Sequence, residues 1–312
     1  MRYFITGGAG FIGLNYIEYL IEQVKGVTFI TVYDNFTYAA NSHIYEKYEY
    51  DPRVRVVKGN ICHFEHLTES MKNHDFVIHF AAESHVDRSI DNASVFIQTN
   101  VLGTFNILEA SRKNHIRTFI HVSTDEVYGS LKEGFADESF PLAPNSPYAS
   151  SKAASDLLVR SYFMTYGLDV RTTRSCNNYG KYQFPEKVIP VFILNALVRR
   201  NLPIYGDGTN VREWIHVADH IRGIQTVLMR GKPGEIYNIG SGFYLTNNQL
   251  ADKILTLTDA DRNLKTFVQD RKGHDFRYAM SSKKIQSLGF NSTNNFDLKL
   301  KETIEWYAQN RK

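Results

Sequence analysis

The stretch "RYFITGGAGFIG", Arg2 to Gly13, limits the possible folds more than any other part of the chain. A short β-branched and aromatic run leads through a glycine loop directly into a segment of helical period. Gly7, Gly10 and Gly13 fall where a tight turn, a close pyrophosphate and helix-to-strand packing each exclude a Cβ. Amide groups at the start of the following helix then face phosphate oxygens. Such a dinucleotide loop needs an acidic residue about 20 residues further on, and Asp34 closes the second strand in "TVYDN". A carboxylate there accepts bonds from both ribose hydroxyls and repels a 2′-phosphate, so NAD is expected in preference to NADP.

The rest of the chain continues what the loop begins. Short strand-like runs (TFITVYD, VRVVKG, FVIHFAA, TFIHVST, DVRTTRS) alternate with helical segments around Phe64 to Met71, Phe96 to Asn114 and Ser151 to Tyr166. This alternation predicts an α/β fold, a doubly wound parallel sheet of Rossmann type with helices on both faces. Beyond Cys176 the pattern loosens into turn formers, then a helix near Val191 to Arg199, the turn LPIYGDGTN, strand-like REWIHV, a helix from Ala218 to Met229, the run EIYNIG and two further helices. The expected organisation is an NAD-binding domain over residues 1–176, with a return near 208–230, and a smaller, partly interleaved C-terminal α/β substrate domain over 177–312.

Composition excludes several classes. With 36 basic against 33 acidic residues, net +3, no global field recruits nucleic acid or a membrane surface. No apolar run reaches the roughly 18 to 20 residues that span a bilayer, and a strand begins almost at once where a targeting segment would stand. Cys62 and Cys176 are too few for a disulfide framework or a metal cluster. A cytoplasmic enzyme or binding protein with no metal, membrane or nucleic-acid partner is expected.

Two stretches carry candidate chemistry. "SPYASSKA" sets Tyr148 and Lys152 four residues apart, on one face of the helix that starts there. A phenol with a pKa of about 10 is a poor base at neutral pH, but a neighbouring ammonium and an oxidised nicotinamide both favour the phenolate. Alone the pair reads as a tyrosine beside a solvated lysine; after a dinucleotide loop it reads as a proton-transfer pair. "HVSTDEVYGS" ends a buried strand with adjacent acids, Asp125 and Glu126, which elsewhere would be solvated turn residues.

Taken together, the glycine loop, "AAESHVDRSI", "STDEVYG", "SPYASSKA", "NNYGKYQFPEKVIP", "YGDGTNVREWIHV" and "GHDFRY" resemble the nucleotide-sugar 4,6-dehydratases of the extended short-chain dehydrogenase/reductase superfamily. The likeness covers nearly the whole chain, with the motifs in order, and is nearest to the branch that acts on dTDP-glucose. It implies a redox-neutral lyase reaction of deoxysugar biosynthesis. Tyr148 takes the 4-hydroxyl proton as C4 gives hydride to NAD, water leaves across C5 and C6, and hydride returns to C6. It further implies Glu126 as the C5 base, Asp125 as the acid for the C6 hydroxyl, Thr124 bonding the C4 oxygen, and Lys152 tuning Tyr148 and holding the nicotinamide ribose. Adjacent carboxylates must titrate differently for those roles.

The resemblance also assigns binding residues. The cofactor falls to Gly7, Gly10, Phe11, Ile12, Gly13, Asp34, Asn35, Thr37, Asn60, Ile61, Ala81, Ala82, Thr99, Tyr148, Lys152 and Asn178. The nucleotide-diphosphate sugar falls to Ser84, Thr124, Asp125, Glu126, Asn177, Lys187, Tyr205, Arg212, Asn247, Arg271 and His274, with the arginines suited to the diphosphate and Tyr205 to base stacking. Departures from the family pattern stand at Asn60, where Asp is usual and where an amide still hydrogen-bonds adenine, and at Lys272 and Phe276 in "DRKGHDFRY" and in "RSCNNYGK", which bear on substrate identity more than on reaction type. A homodimer through the helices around Asn100–Ser111 and Ser151–Tyr166 is implied by the same likeness. The rival readings are a dehydratase for a UDP- or CDP-linked sugar, a 4-epimerase, and a nucleotide-sensing regulator. The acid pair argues against the epimerase, and the full set Thr124, Asp125, Glu126, Tyr148 and Lys152 against the regulator.

Overall fold

The computed structural model describes residues 1–310. Twelve strands occur in it: β1 Arg2–Thr6, β2 Phe29–Asp34, β3 Val54–Lys58, β4 Phe76–His79, β5 Thr118–Thr124, β6 Val170–Ser175, β7 Asn177–Tyr179, β8 Leu202–Tyr205, β9 Val211–His216, β10 Ile236–Ile239, β11 Tyr244–Thr246 and β12 Lys265–Val268. Seven form one parallel sheet in the order β10-β6-β5-β4-β1-β2-β3. This is the doubly wound arrangement that the glycine loop and the alternation predict. Successive β1 side chains serve opposite faces: Tyr3 and Ile5 join one apolar cluster with Ile17, Ile30 and Val32, while Phe4 joins another with Tyr33, Val77 and Phe119.

The second lobe is built from short pieces. β7, β9 and β11 make a three-stranded sheet and β8 pairs with β12. Its separate core gathers Ile189, Phe192, Trp214, Leu250, Ile254, Leu300 and Ile304. The strand REWIHV, expected near a return to the main sheet, is β9 and stays in this small sheet; β10 takes the seventh place instead. The connection explains it. Helix Val217–Arg230 packs on the main sheet against helix Phe11–Gln23 and β6, and in a right-handed crossover the parallel strand follows its helix rather than preceding it.

Two helical details set the site. The helix expected from about Ser151 begins at Pro147, because the Ser146 hydroxyl accepts the Ala149 amide and proline occupies the first turn, where its missing N–H costs nothing. The helix expected over Phe96–Asn114 is broken into Ala93–Phe96, a π-helical stretch Ile97–Leu102 and Gly103–Lys113. Added at Gly103, a Cβ would fall 2.4 Å from the Ile61 side chain. No helix among the described residues is long and apolar enough to cross a membrane.

Candidate active site

The carboxyl ends of β1, β2, β4, β5 and β6 open into one cavity of about 560 Å³, whose far wall comes from the second lobe. Crevices of this kind sit where the strand order reverses, here between β1 and β4. Every cofactor and substrate residue expected from the sequence lines this single cavity. That is a statement of place; their roles are argued below.

At the cofactor end, Gly7 has φ +68° and a Cβ there would lie 2.5 Å from the Ala81 amide nitrogen. Gly13 is barred differently, since its Cβ would meet the Gly7 carbonyl oxygen at 2.4 Å. The loop therefore exists only with glycine at both positions. Asp34 is tied into it: Oδ2 accepts the Ala9 amide at 3.0 Å and Oδ1 the Phe36 amide at 2.8 Å. Burial raises the Asp34 pKa, and these amides work against it. Asn60, the departure from the usual acid, accepts the Cys62 amide through Oδ1 at 2.8 Å, a turn-closing bond that an aspartate makes equally well. Buried polar atoms around the cavity, including Asn177 Oδ1, Asn178 Oδ1, Gln183 Oε1 and Asp125 Oδ2, have no protein partner. Buried polar groups are normally bonded, so a glycine cradle, a pinned carboxylate and these atoms suit a polar ligand such as a dinucleotide.

Beyond the cofactor end, Tyr148 and Lys152 face the end of β5. Lys152 is 4% exposed and donates to the Val122 carbonyl at 2.8 Å. Burial pulls its pKa down to about 8, with Asp156 pulling the other way. Burial raises Tyr148, reinforced by the Glu126 charge and opposed by a hydrogen bond from Thr124.

The two acids occupy a single 3₁₀ turn, Asp125–Tyr128, capped by Thr124, whose hydroxyl accepts the Glu126 amide at 3.2 Å and donates to Asp125 Oδ1 at 3.3 Å. Their surroundings differ. Asp125 is 3% exposed, and burial drives its pKa well up, with Glu126 and Glu213 adding to the effect. Glu126 is also raised by burial, but Lys187, Arg271 and Arg212 oppose the shift. Asp125 faces the carboxylates of Glu126 and Glu213 with Arg212 opposing, and Glu126 faces three cations with Asp275 opposing, so the same burial pushes Asp125 up further than Glu126.

The remaining substrate candidates converge from several segments. Lys187 donates to the Ser84 carbonyl at 2.6 Å. Arg271 lies 3.6 Å from Asp87 and 3.4 Å from His274 Nε2, with its Nε unpartnered. Arg212 spends Nη2 on the Asp275 carbonyl at 2.8 Å and stacks 4.4 Å from the Tyr278 ring centre. Asn247 lines the cavity at the start of helix Asn247–Leu257, and Tyr205 is partly exposed with its hydroxyl 3.5 Å from Asp87. Of the departures from the family pattern, Asn60, Ser175 and Cys176 line the cavity, while Lys181, Lys272 and Phe276 fall outside the lining. Lys181 instead pairs with Glu18 at 2.5 Å on the first helix. Sequence reasoning missed Asp87, Asp275 and Tyr278 in the lining; each stands inside a quoted motif, but nothing in local spacing singles them out.

A sheet with this strand order and a glycine cradle at its switch point define a dinucleotide-binding α/β protein. The family profile described as GDP-mannose 4,6 dehydratase matches residues 4–303, and the chain belongs to that family. Within it, the chain is 46% identical to dTDP-glucose 4,6-dehydratase from Streptomyces niveus, over 100% of this chain and 94% of that protein. The crystal structure of DesIV, the dTDP-glucose 4,6-dehydratase of Streptomyces venezuelae with NAD bound, superposes with a TM-score of 0.97 at 49% identity, covering 100% of this chain and 98% of the other. A UDP-glucose 4-epimerase from Thermotoga maritima shares the fold, TM-score 0.91, at 27% identity and 99% coverage of both chains.

Proposed function

We propose that this protein is an NAD-dependent hydro-lyase that converts dTDP-glucose to its 4-keto-6-deoxy sugar. The observation that carries the reading is the unequal environment of the two acids in one turn, Asp125 facing Glu213 and Glu126 facing Lys187 and Arg271. An epimerase has no water to expel and no use for such a pair. Bound NAD supplies an electron-pair acceptor at the sugar's C4 and the same pair again at C6. The residues supply the proton movements: Tyr148 accepts the 4-hydroxyl proton, Glu126 takes the C5 proton once C4 is a ketone, and Asp125 protonates the departing C6 oxygen. Thr124 bonds the C4 oxygen, and Lys152, with one of its three N–H groups fixed on Val122, has two left for Tyr148 and the nicotinamide ribose.

Asp34 and the glycine loop hold the adenosine and pyrophosphate, with Arg271, Arg212 and Lys187 toward the sugar-nucleotide diphosphate. Residues 177–312 act as the sugar-nucleotide half, and the free thiols Cys62 and Cys176 suit the reducing cytoplasm. A homodimer is the assembled form, its interface the outward apolar side chains of the paired helices. Incubating the purified protein with dTDP-, UDP- and CDP-glucose and reading the alkali-induced absorbance of a 4-keto-6-deoxy product tests the reading. Product from dTDP-glucose is expected; product only from another nucleotide changes the substrate, and none from any sinks the dehydratase.

A further inference from the structure

Helix Pro147–Tyr166 carries a third polar residue on the stripe of Tyr148 and Lys152. Asp156 lies one turn beyond Lys152, is 4% exposed and has no part in the chemistry assigned above. A carboxylate so deeply buried is costly unless it is paired. Its Oδ2 accepts from Arg174 Nε at 2.8 Å, and its Oδ1 lies 3.3 Å from His121 Nε2. Arg174, on β6 and 3% exposed, donates through Nη1 to the Tyr128 hydroxyl at 2.9 Å, with its guanidinium 4.8 Å from that ring's centre. Tyr128 in turn donates to Asn238 Oδ1 on β10 at 2.8 Å. Tyr128 closes the 3₁₀ turn that carries Asp125 and Glu126. One buried chain of contacts therefore joins the tyrosine–lysine helix to the turn that bears the acids.

We propose that Asp156, held by Arg174, is a positioning residue for the reaction: it stands as a buried anion one helical turn from Lys152, and its arginine partner locks the acid-bearing turn to the same helix. The proposal rests on the reading of Tyr148 and Lys152 given above. The charged and titratable groups around it come from every packed element. His79 on β4 and His121 on β5 are neutral, burial lowering the first well below its ordinary range and the second to about 4. Arg174 comes from β6, and Asp125, Glu126 and Tyr148 stand at the reacting end. Burial acts to raise Asp156, but His121 and Arg174 outweigh it and hold the group at about 2, so it is anionic throughout the working range. Asp156 is the anion on the helix stripe next to Lys152, and it opposes the burial that depresses the ammonium.

The test is the pH dependence of a single turnover with dTDP-glucose, followed by reduced-nicotinamide absorbance, a step that uses Tyr148 and Lys152 but not the proton of Asp125. In Asp156→Asn the amide keeps a bond from Arg174 but loses the charge. Lys152 then sheds its proton at lower pH, so the alkaline limb moves down by about one pH unit and the rate falls while KM is little changed. In Arg174→Lys the carboxylate keeps a cationic partner and its charge while the bond to the Tyr128 hydroxyl is lost, and the limb stays. Limbs that are unmoved in Asp156→Asn, or that move down together in both variants, overturn the proposal. Should Asp156→Asn not fold, a lowered limb in Arg174→Lys overturns it alone, and an unmoved one supports it. Wild-type protein that does not oxidise the sugar fails the underlying reading instead, so the two failures are distinct.

Discussion

At the residue scale, the site turns on how one turn gives two adjacent carboxyl groups different protons. Desolvation and Arg212 act on both, and the other neighbours separate them: Glu213 raises Asp125, and Lys187 and Arg271 oppose the rise at Glu126. In the proposed reaction, turnover needs Glu126 and Tyr148 ionised and Asp125 and Lys152 protonated. As pH falls through the raised pKa of Glu126 the base is lost, and as it rises through those of Lys152, about 8, and Asp125 the acid partners are lost. A bell-shaped kcat profile is expected, with its acid limb set by the two bases, Glu126 and Tyr148. Glu126→Gln leaves oxidation at C4 intact and stalls elimination, so reduced nicotinamide accumulates in the presence of sugar nucleotide while product formation drops by about 10² to 10⁴. Normal turnover in that variant, read by product absorbance, shows that another group removes the C5 proton. The acid pair was legible in "STDE" as an oddity. Which acid carries the proton was not, because Glu213, Arg212 and Arg271 are 86 or more positions away in the chain and meet the turn only through the fold.

At the element scale, the sequence reading succeeded where periodicity and caps speak locally. The parallel strands of the first half, the glycine loop and the helix with Tyr148 were all readable. Two features were not. The π-helical stretch Ile97–Leu102 keeps an ordinary helical pattern in sequence, and its extra residue per turn arises from packing. The seventh strand, β10, is four residues long and gains its place from the helix before it, so no pattern within "IYNI" distinguishes it from a strand of the second lobe.

The helices flanking the site also carry the assembly prediction. Ile97, Leu102, Phe105, Leu157 and Met164 are between 42% and 63% exposed on the paired helical segments, an apolar group that single surface residues do not explain. A second copy of the chain laid on this face would bury it. Sedimentation should give the mass of two chains, and Phe105→Arg with Leu157→Arg should give one, with the fold retained in circular dichroism. A wild-type chain that sediments as one unit at micromolar concentration rules the dimer out.

At the scale of the whole molecule, a seven-stranded sheet stands beside a lobe with its own core, and the proposed function gives the cofactor to the sheet and the sugar to the lobe. The division was visible in the sequence as a loosening of pattern after Cys176. Its interleaving was not, since helix Val217–Arg230 and β10 rejoin the sheet from within the second half. The epimerase from Thermotoga maritima shares that whole architecture, so the fold alone does not separate elimination from inversion. The fate of one hydrogen does. dTDP-glucose carrying deuterium at C4, turned over by the wild-type protein in ordinary water, is predicted to give a product with deuterium on C6, seen by NMR and by retention of the mass label. Deuterium found at C4 of a hexose inverted at that carbon contradicts the account and makes the protein an epimerase.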